Sequence, residues 1–149
     1  MSTRSMFVVF DLDGTLALNE HRQHFVERGP GEKKDWRGFF AACDRDELNW
    51  PIARVLQVLD ATGNRVEIWS GRSGEVIDKT RKWLADHGLG HIPFRGRDEG
   101  DHTPDHELKK AWLDLSSQKP DLIFDDRASV VRMWRENGIA CAQVADGNF

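Results

Sequence analysis

Only two cysteines occur in the 149 residues, Cys43 and Cys141, far apart and in no metal or disulfide spacing. That excludes a disulfide scaffold or a zinc ribbon and makes a reducing cytoplasm the expected compartment. No apolar run approaches the roughly 20 residues of a membrane-spanning helix, so no membrane association is expected. The start, Met1-Ser-Thr-Arg-Ser5, leads straight into an apolar segment and lacks the features of a secretory signal. An excess of basic charge is missing too, since the formal net charge is −4. A surface that grips long nucleic acid throughout is usually basic. Any nucleic-acid substrate must therefore be held locally, by a few arginines beside a site. Repeats, low-complexity tracts and linker-like stretches are absent. The length predicts one domain over residues 1–149, large enough to bury a full core.

What is present centres on Met6-Phe-Val-Val-Phe10 and the Asp11-Leu-Asp-Gly-Thr15 that follows it. Five apolar residues in a row read as a strand buried on both faces, as in the middle of a parallel sheet. If the extended conformation persists to Asp13, the carboxylates of Asp11 and Asp13 share one side of the strand's carboxyl end. That is the usual ligand crevice of an open α/β sheet. Two anions at the edge of a core are costly unless a cation neutralises them, and hard oxygen ligands suit Mg²⁺. The competing interpretation is a simple Asp-Gly turn.

Ala17 to Asn49 shows no clear strand and is broken by Gly29-Pro-Gly31; residues 18–48 are expected to form a small lid inserted after the first strand. Within it, Asp35 to Ala42 reads as a short amphipathic helix with Trp36, Phe39 and Phe40 on one side. Those aromatics are taken as the small core of the lid, with stacking of a terminal base as the alternative. Asn49-Trp-Pro51 starts a helix carrying Ile52, Val55, Leu56, Val58 and Leu59 up to Gly63. Arg65 to Trp69 is a second strand, running into Ser70-Gly-Arg-Ser-Gly74 and a helix over Glu75 to Asp86. His91 to Phe94 is a short third strand whose Pro93 suits an edge, and Arg95 to His102 is a loop. Thr103-Pro104 opens a helix with Leu108, Trp112 and Leu115 inward. Asp121 to Phe124 is a fourth strand ending in Asp125-Asp126, followed by a helix near Ser129 to Asn137 and a fifth strand from Ile139 to Val144. The alternation predicts an α/β fold, a Rossmann-like open parallel sheet of order 3-2-1-4-5 with helices on both faces. That order gathers Asp11, Asp13, Asp125 and Asp126 in one crevice.

Together, Asp11-Leu-Asp-Gly-Thr15, the strand-end Ser70, the downstream Lys109 and the Asp125-Asp126 pair resemble the haloacid dehalogenase-like phosphohydrolase superfamily. A narrower resemblance is to the 3′-phosphatase domain of bacteriophage-type polynucleotide kinase/phosphatase. Trp69-Ser-Gly-Arg72, Thr80-Arg-Lys-Trp83, the Gly100-Asp101 loop leading to Asp105 and Lys109, Phe124-Asp-Asp-Arg127 and Val130-Val-Arg-Met-Trp-Arg135 carry it. It is weakest over Val26 to Phe40. The phosphate-binding pattern Gly-x-x-x-x-Gly-Lys-Ser/Thr is absent, so the kinase half is missing.

The resemblance implies roles. Asp11 would be the nucleophile that forms an aspartyl-phosphate, and Asp13 the acid and base that serves the leaving oxygen and the hydrolytic water. Mg²⁺ would sit among Asp11, the main-chain carbonyl of Asp13 and the Asp125-Asp126 pair, with the direct ligand of that pair left open. Thr15, Ser70 and the amide of Gly71 would bind phosphate oxygens. Lys109 would neutralise the nucleophile, oriented by Asp105 one turn earlier; an exposed i,i+4 ion pair is the plain alternative, with Lys110 a competitor. Arg22 and Arg72 would hold the scissile phosphate or its neighbour, with Arg127 a further candidate. His102 and His106 have an i,i+4 spacing but no cysteine partner and are read as surface residues. The expected activity is a Mg²⁺-dependent phosphomonoesterase acting on nucleic acid or nucleotide with a 3′-phosphate, in end repair. A 5′(3′)-nucleotidase or other small-molecule phosphatase, and a non-catalytic end-binding module, are the alternatives. A homo-oligomer and a separate kinase or ligase are left open as partners.

Overall fold

The computed structural model describes residues 4–147. Five strands form the parallel sheet: β1 (Phe7–Phe10), β4 (Arg65–Ser70), β5 (Phe94–Gly96), β6 (Leu122–Asp125) and β7 (Ala140–Gln143). Their order is β5-β4-β1-β6-β7, which in chain order of the sheet strands is 3-2-1-4-5. Between β1 and β4 lies a second, antiparallel pair, β2 (Ala17–Leu18) with β3 (Glu47–Leu48). The segment expected to lack strands therefore closes on itself as a two-stranded ribbon. Pairs of two residues are too short to show any periodicity.

Because side chains alternate along a strand, β1 serves two cores. Val8 and Phe10 pack on one face with Leu56, Ile68, Trp83 and Leu84, carried by α2 (Trp50–Ala61), β4 and α3 (Ile77–Asp86). Phe7 and Val9 pack on the other with Trp69, Leu113, Val130 and Trp134, from β4, α4 (Asp105–Leu115) and α5 (Ala128–Glu136). All four β1 residues are buried, which is why the run reads as continuously apolar. Among the described residues no helix is long and apolar enough to cross a membrane.

Four expectations shift. The third strand begins at Phe94, paired with Ile68, not at His91. Pro93 has no N–H to offer the ladder, and Ile92 turns its own back to Leu89. Leu115 is 80% exposed rather than inward. The buried face of α4 runs through Leu108, Lys109 and Leu113, turned that way by the burial of Lys109. On α2, Ala53 and Leu56 are buried while Val55 and Val58 face outward. Asn49 leaves its expected capping role and donates its side-chain amide to the Thr15 carbonyl at 2.8 Å, which ties the start of α2 to the loop after β1.

Trp69→Ala removes a ring that touches Phe7, Trp112 and Trp134 in the second core. It is expected to lower stability by about 3–5 kcal/mol in urea denaturation, whereas Leu115→Ser should stay within about 0.5 kcal/mol. Equal losses would contradict this packing.

Candidate active site

The carboxyl ends of β1, β4 and β6 lie side by side and deliver Asp11, Ser70 and Asp125 to one edge of the sheet. After Phe10 the chain makes one more sheet bond, from Asp11 N–H to the Phe124 carbonyl (2.9 Å), and then turns. Gly14 makes that turn with φ +81°, and a Cβ there would overlap the Asp126 carboxylate. The glycine thus serves both the left-handed backbone and the close approach of β1 to the β6 loop.

Asp11, Asp125 and Asp126 are buried, and each offers an oxygen lying within 4.8 Å of the others. Lys109 reaches in from α4, donating to Asp11 Oδ1 (2.9 Å) and Asp125 Oδ2 (3.0 Å). Thr15 Oγ1 lies 3.4 Å from Asp11 Oδ2. Asp125 is surrounded by donors: the N–H groups of Asp126 and Arg127 on Oδ1, Lys109 and the Trp134 indole on Oδ2. Burial and the charges of Asp125 and Asp126 raise the Asp11 carboxyl well above its ordinary value, with Lys109 opposing them. Burial and Asp125 push Asp126 up to about 6. Burial alone would depress the Lys109 ammonium, but Asp11 and Asp125 reverse this and keep it charged. Three carboxylates against one ammonium leave the cluster short of positive charge, and every ligand atom is a hard oxygen. That donor set fits a divalent cation of the Mg²⁺ class.

Asp13 does not share these contacts. Its carboxylate turns toward Arg22 (2.5 Å) and Arg72 (2.5 Å), with its side chain 20% exposed at the cleft. Burial would raise its pKa, but Arg72 and Arg22 together hold it far below the usual carboxylate range. Its side chain lies apart from the cluster of Asp11, Asp125 and Asp126, because two guanidiniums claim it; the expected metal contact of Asp13 is through its main-chain carbonyl. The same arginines are tied behind by Asp46, which takes Arg22 at 2.9 and 2.6 Å and Arg72 at 3.5 Å. His21 adds a 2.6 Å contact to Asp46. Arg22 and the Asp46 side chain are fully buried. Asp46 lies just before β3 in no motif, and no signal in the sequence marks it.

Asp105 also departs from expectation. It accepts from Arg97 (2.7 Å) and Arg127 (2.9 Å), not from Lys109, which donates to Asp11 and Asp125 instead. Asp105 instead braces the β4 turn: a Cβ at Gly71 would overlap it, and Arg97 also donates to the Gly71 carbonyl at 2.8 Å. No motif in the sequence marks Arg97. Ser70 is buried, and its Oγ accepts the Arg72 N–H (3.1 Å). Lys110 pairs with Asp114 on the outside of α4, so Lys109 is the lysine of the site. His102 and His106 are exposed and join no metal-type group among the described residues. Asp11, Asp13, Asp105, Asp125, Asp126, Ser70, Gly71, Arg72 and Lys109 line one cleft of about 1070 Å³, which the 18–48 insertion walls on one side, whereas Thr15, Arg22 and Asp46 are buried behind it.

The family model for the phosphatase domain of polynucleotide kinase PNKP matches residues 5–149. One chain of the Pnkp1/Rnl/Hen1 complex superposes with a TM-score of 0.77 at 31% identity, over 99% of this sequence and 49% of that chain. A second, from the Pnkp1/Rnl/Hen1 RNA repair complex, gives 0.78 at 31%, over 99% and 45%. The sequence thus spans about half the length of these relatives. The class C acid phosphatase from Bacillus anthracis, with tungstate bound, shares the fold at 19% identity and a TM-score of 0.62, over 98% and 68%.

Asp46→Ala strands two buried guanidiniums beside Asp13 alone. It is expected to destabilise the protein by about 3–5 kcal/mol in denaturant titration. A change below about 1 kcal/mol would contradict the role given to this buried network.

Proposed function

The chain belongs to the polynucleotide kinase PNKP phosphatase-domain family, and from that premise we propose that it is a Mg²⁺-dependent polynucleotide 3′-phosphatase. One observation carries the reading. Two aspartates two positions apart face one cleft in opposite surroundings, Asp11 among acids and Lys109, Asp13 between two arginines. The surroundings divide the two carboxyls between roles. Lys109 and a cation bound among the acids would keep Asp11 ionised for attack against the pull of its acidic neighbours. Asp13, held ionised by its arginines, could carry a proton only once that hold is loosened.

Asp11 attacks phosphorus in line, and the ester P–O bond breaks as an Asp11–phosphate bond forms. The departing oxygen takes its proton from Asp13. Water then attacks the aspartyl-phosphate and gives a proton to Asp13, releasing phosphate and restoring the Asp11 carboxylate. Phosphate entering the cleft competes for Arg72, which lines it, and this loosens the hold on Asp13 and lets it carry the proton, while the buried Arg22 stays behind as support. Lys109 stays charged between Asp11 and Asp125 and offsets the repulsion between carboxylate and phosphate. Ser70 and the Gly71 amide supply donors around the phosphate, and the buried Thr15 hydroxyl faces Asp11 instead. A divalent cation held by Asp11, Asp126 and the Asp13 carbonyl supplies the remaining positive charge when bound. Asp126 is the direct ligand of the pair, because the oxygens of Asp125 are already occupied by four protein donors. The matched relatives come from an RNA repair complex with Rnl and Hen1, which supports a place in nucleic-acid end repair beside separate kinase or ligase activity.

Asp11→Asn is expected to lower phosphate release from a 3′-phosphorylated oligonucleotide by at least about 10³-fold while the protein stays folded by circular dichroism. Unchanged turnover would overturn the nucleophile. The wild type should prefer that oligonucleotide over mononucleotides and sugar phosphates at matched concentration. The reverse preference would point to a nucleotidase.

A further inference from the structure

The lid helix α1 (Trp36–Ala41) holds three aromatics that do not share one environment. Phe39 is buried at 6% exposure beneath Arg22, whose guanidinium carbon lies 4.3 Å from the ring centroid. Arg22 also donates to the Phe39 carbonyl at 3.2 Å, so this ring is fixed to the arginine that touches Asp13. Trp36 and Phe40 pack on Phe39 at 5.6 and 5.3 Å between centroids and lie nearly parallel to each other, at 27°. Unlike Phe39 they are not consumed by the core. Trp36 is 43% exposed, Phe40 is half-buried, and both line the cleft that holds Asp11 and Lys109. A large aromatic surface left open beside a reactive centre is unusual unless something covers it.

The charge around these rings indicates what that is. Lys34 and Arg37 are exposed on the same wall, and the Lys34 ammonium lies 5.7 Å from the Trp36 centroid. Of the lid residues lining the cleft two are basic and only Glu27 is acidic, on a protein whose net charge is −4. Planar rings beside local cations match a flat base joined to a phosphodiester. A sugar phosphate, with no base and no second phosphate, would use neither feature.

Resting on the phosphatase reading above, we propose that Trp36 and Phe40 form a stacking subsite for the unpaired 3′-terminal base of a polynucleotide, with Lys34 and Arg37 facing the next phosphodiester. The subsite sets preference for a base-bearing end and leaves the chemistry to the acids. Phe39 links the two regions, holding the platform at a fixed distance from Arg22.

The test compares two oligonucleotides of equal length, one ending in a normal 3′-phosphorylated nucleotide and the other in an abasic 3′-phosphorylated deoxyribose. Trp36→Ala is expected to raise KM for the base-bearing end on the order of 10- to 100-fold, leaving kcat within about twofold. The abasic end should change much less, and its turnover by the variant reports an intact fold. Trp36→Phe should restore most of the loss. Equal effects on both substrates, no effect on either, or no rescue by phenylalanine would overturn the subsite while the phosphatase stands. A wild-type protein that hydrolyses neither oligonucleotide would overturn both.

Discussion

Three carboxylates buried together cannot all remain ionised unless positive charge is brought among them. Here β1 and β6 deliver Asp11, Asp125 and Asp126 to adjacent strand ends, and α4 inserts a single buried lysine. Much of the surrounding structure follows from accommodating that cluster. The rotation of α4, which buries Lys109 and leaves Leu115 in solvent, is one consequence. Gly14, whose missing side chain makes room for Asp126, is another. The donors around Asp125 make that acid a fixed part of the scaffold.

A second buried network balances its charges differently. Arg22, Arg72, Asp13 and Asp46 pair two cations with two anions, and Trp83 also donates its indole N–H to the Asp46 carbonyl at 2.9 Å. The insertion after β1 is built into this network, because Arg22 and Asp46 both belong to it and Arg22 also holds Phe39. Lys79 of α3 adds a 2.6 Å bond to the Ala41 carbonyl at the end of α1. The lid and Asp13 are therefore held by the same residues.

The sheet order was legible in the sequence because apolar runs ended in acids and alternated with helical periodicity. Asp11, Lys109 and the Asp125-Asp126 pair were legible for the same reason: each sits at a strand end or at helical spacing from a turn. Less visible was whatever depends on contacts distant in sequence. Asp46 is a single acid 24 residues from Arg22 and 26 from Arg72, and no local pattern links them. Asp105 and Lys109 have ion-pair spacing, yet stronger buried partners take Lys109 and leave Asp105 to two arginines. Periodicity placed Leu115 on the inward stripe, but could not sense the turn of α4 imposed by a buried charge. The two-residue strands β2 and β3 fall below the length at which alternation can be read.

On the function proposed above, the cluster of Asp11, Asp125 and Asp126 takes up one divalent ion, with Asp126 a direct ligand. Calorimetric titration of the folded protein with Mg²⁺ tests it most directly, comparing the wild type with Asp126→Asn. One ion per chain in the wild type, and no measurable binding by the variant, is the predicted result. Equal affinity in the two proteins, or no ion bound by the wild type, would contradict it.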